Sequence, residues 1–386
     1  MGEWKRIKLS EVLKEKTERN KNNETDLVLS VTNSQGFVKQ SDFFEGTVHS
    51  EDISNYKLVK KNEFAYNPSR INVGSIDILK EYDIGALSPM YVIFSVDETK
   101  LLPDYFKHYF QTHKFNENVK NNTQGSVRNS LSFKALSEFE YLLPPLEEQK
   151  RIVKILDQVN RIIEKYQNLI SEKEQFIKSQ FVEMFEEDIN VQKTTVNNVA
   201  DIYLGLTYTP KYTETGIPFL SSKNISSQKL DLEDIKYISQ EEYENATNNA
   251  KPINGDILFS RVGSNLGNPT IFETNIKCAI FVSLGYLRIK NTNEFDNIFV
   301  RDWMKSDNFW HQVFNKVSGG AKQNLNTNWL RNFEIPNPSL EKQNEYKSLV
   351  QLIDKQKFEL EKQKQNYIDL KKGLMQQLLT GRLKVS

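Results

Sequence analysis

The sequence predicts an α+β protein with an internal pseudo-two-fold repeat. Two tandem mixed α/β domains are separated by two long helices packed as an antiparallel coiled coil. Three observations carry this. One 40-residue stretch has an unbroken helical apolar period, a second such stretch closes the chain, and the segments before them repeat one another.

The central stretch, Leu146 to Phe185, contains no Gly or Pro and follows the pair Pro144-Pro145. Ile152, Ile155, Val159, Ile162, Tyr166, Leu169 and Phe176 fall on a 3-4 heptad seam. Leu156, Ile163, Ile170 and Ile177 lie one position along and widen it. At 1.5 Å per residue this is a helix roughly 60 Å long with one broad face to bury. The closing stretch carries Tyr346, Leu349, Ile353, Leu360, Tyr367, Leu370 and Leu374 in the same register, interrupted by Gln356 and Gln363. Polar seam residues weaken a coiled coil but fix its register and partner. A domain-sized segment separates the two helices, so they can lie antiparallel with one domain at each end. Gly381 after Leu378-Leu379 supplies a C-terminal stop.

Before the first helix, Leu27–Thr32, Glu63–Tyr66 and Met90–Val96 read as strands, and Ser34-Gln35-Gly36 and Asn67-Pro68-Ser69 as turns. Pro103 to Phe115 has helical spacing. A shift of 194 residues lays Gly125 on Gly319, Leu131 on Leu325, Phe139 on Phe333, Pro144 on Pro338, Leu146 on Leu340 and Gln149 on Gln343. Nine of the 25 aligned positions from Gly125 to Gln149 are identical, which chance rarely gives. Upstream, a shift of 191 pairs Leu29-Ser30 with Leu220-Ser221 and Ser69-Arg70 with Ser260-Arg261. The expected boundaries are a domain at 1–145, a helix at 146–187, a domain at 188–337 and a helix at 338–386.

Composition narrows the function. A formal net charge of zero gives no global attraction to nucleic acid, so DNA binding would need local basic patches. A single cysteine, Cys278, leaves no disulfide framework and no cysteine zinc site, which suits a reducing cytoplasm. No apolar run approaches the length of a membrane span, and no signal-peptide core is present. No phosphate loop, metal-ligand grouping among the four histidines, or nucleophile–base set can be assembled. A binding protein is therefore expected, with no catalytic or metal-binding residue.

The candidate binding residues lie in loops. Ser126, Arg128 and Asn129 in the first copy answer to Lys322, Gln323 and Asn324 in the second, beside glycines that allow close backbone approach. Ser69, Arg70 and Arg261 follow strands. Tyr208, Lys211, Lys223 and Asn224 form a further basic and aromatic cluster in the second copy. Arg, Lys, Asn and Gln reach phosphates and base edges, and every one of these loops could equally be a polar surface turn.

The junctions LLPPLEEQKRIVKILDQVNRII and IPNPSLEKQNEYKSLVQLID, the ending LMQQLLTGRL, the opening EWKRIKLSEV and the turn INGDILFSR resemble the specificity subunits of Type I restriction-modification systems over essentially the whole chain. The first copy departs in reading NEFAYNPSR where Gly-Asp-Ile-Leu is usual. The resemblance implies two target recognition domains, each reading half of a split double-stranded DNA site. It implies helices that set the gap and dock two modification subunits, and restriction subunits bound through these. S-adenosylmethionine, ATP and Mg would belong to the partners and none to this chain. Leu156, Ile163, Ile170 and Ile177 are the expected docking positions. The rival expectation is a coiled-coil scaffold with no DNA role.

Overall fold

The computed structural model describes residues 3–43, 52–123, 130–225, 229–262, 266–316 and 325–384. The chain divides into two compact units, Met1–Tyr166 with Lys362–Ser386, and Gln167–Glu361. Each long helix is therefore shared: its first half belongs to the unit of the domain it follows, its second half to the other.

Each unit holds an antiparallel four-stranded sheet of the same strand order. In the first it runs Leu13–Lys16, Val92–Val96, Phe64–Tyr66, Ile76–Ile78. In the second it runs Ala200–Leu204, Leu284–Ile289, Ile257–Ser260, Pro269–Ile271. A strand opening each domain pairs with the one that leads into the long helix, Lys5–Lys8 with Glu140–Leu143 and Gln192–Thr195 with Glu334–Asn337. One helical segment expected from Pro103 to Phe115 is two helices, Pro103–Tyr109 and His113–Thr123. The break is at Thr112, whose hydroxyl accepts from the Phe115 N–H at 3.2 Å and so caps a new helix. Ser306 does the same for Phe309 between Asn297–Trp303 and Asp307–Phe314.

The repeat is exact in hydrogen bonding at the junctions. The Gln149 side chain is fully buried; its Oε1 accepts from the Leu102 N–H and its Nε2 donates to the Lys100 and Pro144 carbonyls, all at 2.8 Å. Gln343, also fully buried, accepts from the Asp296 N–H and donates to the Glu294 and Pro338 carbonyls, at 2.8, 2.8 and 3.0 Å. One amide thus ties the start of the long helix to the chain entering Pro103–Tyr109 or Asn297–Trp303 by satisfying three backbone groups that burial would otherwise orphan.

Upstream, the register needs a correction. The parallel bridges Val28–Ala86 and Phe219–Ala279 support the shift of 191 at Leu29-Ser30. By the next turn it is 193. Asn62 and Gly255 both have positive φ, 67° and 94°, and their N–H groups donate to Leu79 and Phe272. Glu63 and Asp256 each accept from the backbone N–H three residues earlier. Ser69-Arg70 is therefore not the counterpart of Ser260-Arg261. Arg261 answers to Pro68, and both carbonyls accept from the N–H of the repeated leucine, Leu325 and Leu131.

The central helix runs Leu146–Phe181 and ends in a π turn, Val182–Glu186; the C-terminal helix runs Leu340–Leu378. In the first unit Ile152 and Leu156 pack with Met375, Leu378 and Leu379, and Tyr166 lies 5.7 Å from Tyr367. In the second, Lys173 donates to Gln356 at 2.7 Å and Phe181 lies 5.6 Å from Tyr346. Rising numbers on one helix meet falling numbers on the other, so the pair is antiparallel in each unit. The expected division into seam and docking face does not hold. Phe176, placed on the seam, is 42% exposed, whereas Leu156 and Ile170, placed on the docking face, are 0% and 4% exposed. Near a domain the helix is covered on two sides, so Leu156 becomes core.

Candidate nucleic-acid interface

In each domain three loops meet where the central strands of the sheet end. In the N-terminal domain these are the hairpin turn between Leu29–Thr32 and Gly36–Lys39, the loop 67–75, and the chain arriving at Leu131. The Ser75 hydroxyl donates to the Val31 carbonyl at 2.6 Å, and the Leu131 N–H donates to Pro68 at 3.0 Å. Ser69 and Arg70 are exposed on this edge. The Asn67 side chain accepts from the Ser69 N–H, an Asx turn that holds the loop open. Ser126, Arg128 and Asn129 lie outside the described residues, between the helix ending at Thr123 and Leu131.

In the C-terminal domain the corresponding loops converge on Ser283. Its carbonyl accepts from the Arg261 N–H at 2.9 Å and its hydroxyl from the Ser222 N–H at 3.2 Å. The Arg261 guanidinium donates to the Val282 and Leu325 carbonyls at 3.2 and 3.5 Å, and burial lowers its pKa. Arg261 therefore braces the edge, leaving only part of its surface to a partner. Lys223 is exposed on the turn that the Asn224 side chain holds. Asn224 is not available: it is 4% exposed, with its amide donating to the Asp231 and Asp234 carbonyls and accepting from the Ser221 N–H. A structural Asn that ties Ser221 to Asp231 and Asp234 reads, in sequence, like a polar contact residue. Lys322, Gln323 and Asn324 lie outside the described residues.

Tyr208 and Lys211 occupy the excursion after Ala200–Leu204. Tyr208 is 49% exposed, and slight burial followed by Glu242 raises its phenol pKa. Lys211 is exposed beside Tyr212, over whose ring the Lys236 ammonium sits at 4.2 Å. Gly205 starts this excursion, since a Cβ there would meet the Ile280 and Phe281 backbone. Of the docking candidates, Leu156 and Ile170 are buried within the chain. Ile163, half-buried, lines a cavity of about 1090 Å³ in the first unit with Ile368 and Met375. Ile177 lines one of about 470 Å³ in the second unit with Phe181 and Tyr346. Among the described residues there is no cluster of metal-ligand type, and no helix is long and apolar enough to cross a membrane.

Residues 1–172 match the family described as Type I restriction modification DNA specificity domain. The Type I restriction enzyme MjaVIII specificity subunit of Methanocaldococcus jannaschii is 24% identical over 350 residues, covering 85% of this chain and 80% of that protein. The putative type I restriction enzyme MjaX specificity subunit of the same organism is 25% identical over 361 residues, covering 88% and 82%. A chain from a structure addressing complex assembly and conformational transition of the type I R-M system shares the fold with a TM-score of 0.60 at 14% identity, over 99% of both chains. The Type-I restriction-modification system S subunit from M. genitalium gives 0.50 at 14% identity, over 97% and 96%. Repeat, junction helices, sequence match over the N-terminal part and fold all resemble those of the Type I restriction-modification specificity subunits.

Proposed function

We propose that this chain is the DNA-reading, non-catalytic subunit of a cytoplasmic restriction-modification complex. Each domain reads one half of a split double-stranded site. The two helices set the gap between the halves and dock two modification subunits, through which restriction subunits join. S-adenosylmethionine, ATP and Mg then serve chemistry on the partners.

The observation that supports this reading best is one frame with two different edges. Both domains share strand order and the buried glutamine clasp. Their loop edges diverge: an exposed Arg70 in one, a braced Arg261 and the Tyr208–Lys211 excursion in the other. Two specificities on one scaffold call for this combination. Zero net charge fits a reader whose partners supply much of the phosphate contact.

The test is binding of labelled duplexes by the chain assembled with its modification subunits. A specific duplex should bind at least roughly a thousandfold more tightly than random DNA at physiological salt. Equal binding of all sequences would return the chain to a scaffold role. The chain alone should transfer no methyl group from S-adenosylmethionine.

A further inference from the structure

We propose that the N-terminal domain takes a base edge into a pocket formed by Asn33, Ser34, Gln35 and Asn116 around Gly74. In the C-terminal domain Trp310 covers the corresponding glycine. The inference rests on the DNA-reading function above and names where that reading occurs in one domain.

The pocket has a volume of about 390 Å³. One wall is the hairpin turn from Thr32 to Gly36. The Thr32 hydroxyl donates to the Gly36 carbonyl at 3.2 Å and accepts from the Gln35 N–H at 3.0 Å, so the turn is held by its own side chain. Gly36 has φ +65°, and a Cβ there would collide with the Asp77 carboxylate. Asp77 in turn pairs with Lys107 at 3.1 Å, which neutralises the floor. Gly74, φ +93°, leaves the space beside Asn33 open. The opposite wall is the helix His113–Thr123, which presents Asn116.

The rim chemistry selects the ligand. Asn33, Ser34, Gln35 and Asn116 are exposed, and none of their side chains bonds to a described residue. Carboxamides offer a donor and an acceptor side by side, which is the pattern a base edge presents. A phosphate would instead favour free cations, and the one lysine in the pocket is already paired.

The repeat separates this from an ordinary surface crevice. Phe115 and Val119 answer to Phe309 and Val313, and all four are buried. Gly74 answers to Gly267, and both have positive φ. Between those landmarks Asn116 is replaced by Trp310. The indole lies across Gly267, 2.7 Å from where a Cβ would stand, and packs beside Phe309 and Phe314, each with ring centroids 5.6 Å away. The same frame thus presents amides over an open glycine in one domain and a covered glycine in the other. That difference sits at the loop edge, where Asn116 is exposed and Trp310 is half-buried against the C-terminal core.

The experiment uses the complex assembled with modification subunits and a duplex pool randomised at both half-sites, with the bound fraction sequenced. Asn116→Ala and Gln35→Ala should reduce base preference roughly tenfold or more at one or two positions of a single half-site. Asn116→Trp should abolish that preference, while the other half-site keeps its own. Unchanged thermal melting of the Ala variants, expected for exposed positions, shows that the fold is intact. Unchanged preferences at both half-sites, or an equal loss of affinity for every sequence, would overturn the assignment. If the wild-type complex selects no sequence at all, the DNA-reading function itself fails, and the pocket assignment with it.

Discussion

One pair of corresponding helices in the two domains places different groups at one buried position. The helices Pro103–Tyr109 and Asn297–Trp303 correspond residue for residue, so His108 stands where the other copy has Asp302. His108 is 5% exposed, and its Nδ1 has no hydrogen-bond partner. Burial, reinforced by Lys371 and Lys107, pushes its pKa down to about 4. Asp157 stands 3.8 Å away, too far to hydrogen-bond, and its own carboxyl is raised by burial and Asp104. The imidazole is therefore neutral at physiological pH.

Asp302 is the centre of a charge cluster instead. It accepts two 2.8 Å bonds from Arg301 and one of 3.0 Å from the Tyr346 hydroxyl, and pairs with Lys305 at 3.2 Å. Burial opposes its ionisation, but Arg301 and Lys305 outweigh it and hold the pKa below the usual carboxylate value. The comparison teaches that duplication has kept backbone connections and let charge diverge. The clasp glutamines kept their partners, whereas the buried polar position six residues after Leu102 and Asp296 did not keep its chemistry.

Removing the centre of the cluster should have the largest effect. Asp302→Ala leaves the half-buried Arg301 and Lys305 without their carboxylate and should cost about 3 kcal/mol. Trp303, beside Asp302, reports this as a shift of the fluorescence unfolding midpoint in denaturant. A loss under about 1 kcal/mol would mean that water already shares the site.

His108 should make the two units respond differently to pH. The unfolded chain protonates this imidazole near 6.5 and the folded one only near 4. The unfolded state thus binds more protons between those values, and stability of the N-terminal unit should fall as pH drops from 6.5 to 4. The fall is on the order of 3 kcal/mol. Asp302, with its pKa lowered, keeps its contribution until pH falls below the ordinary aspartate range. Hydrogen exchange resolved by unit should therefore show the first unit loosening at pH 5 while the second holds, and His108→Gln should remove the difference. Parallel loosening of both units would contradict this account of the two sites.

The clasps test what the copies share. Gln149→Ala and Gln343→Ala each remove three buried side-chain hydrogen bonds and should cost about 2–3 kcal/mol, nearly alike in the two units. A cost confined to one copy would show that identical bonds are not equivalent in energy.

Much of this frame was legible in the sequence because it rests on local rules. Gly, Pro and the apolar period mark the junctions, and the repeat reveals Gln149 and Gln343 as a pair. What they bond was not legible, since a buried glutamine and a surface one look alike in a helical stretch. The register near Arg70 was misread because two residues enter between Val28 and Asn62, and Ser-Arg recurs at the wrong spacing. Leu156 and Ile170 were misassigned because periodicity tells which face is buried, not what covers it. Asn224 looked like a contact residue because an amide turned inward to close a loop has the same sequence signal as one turned outward. Asn116 went unnoticed because its meaning appears only beside Trp310.

The most direct test of two readers on one scaffold is methylome sequencing of a host carrying the chain with its modification subunits. The expected result is one split motif: two short half-sites separated by a gap of fixed length and free sequence. A single continuous motif, or no motif that depends on this chain, would contradict it.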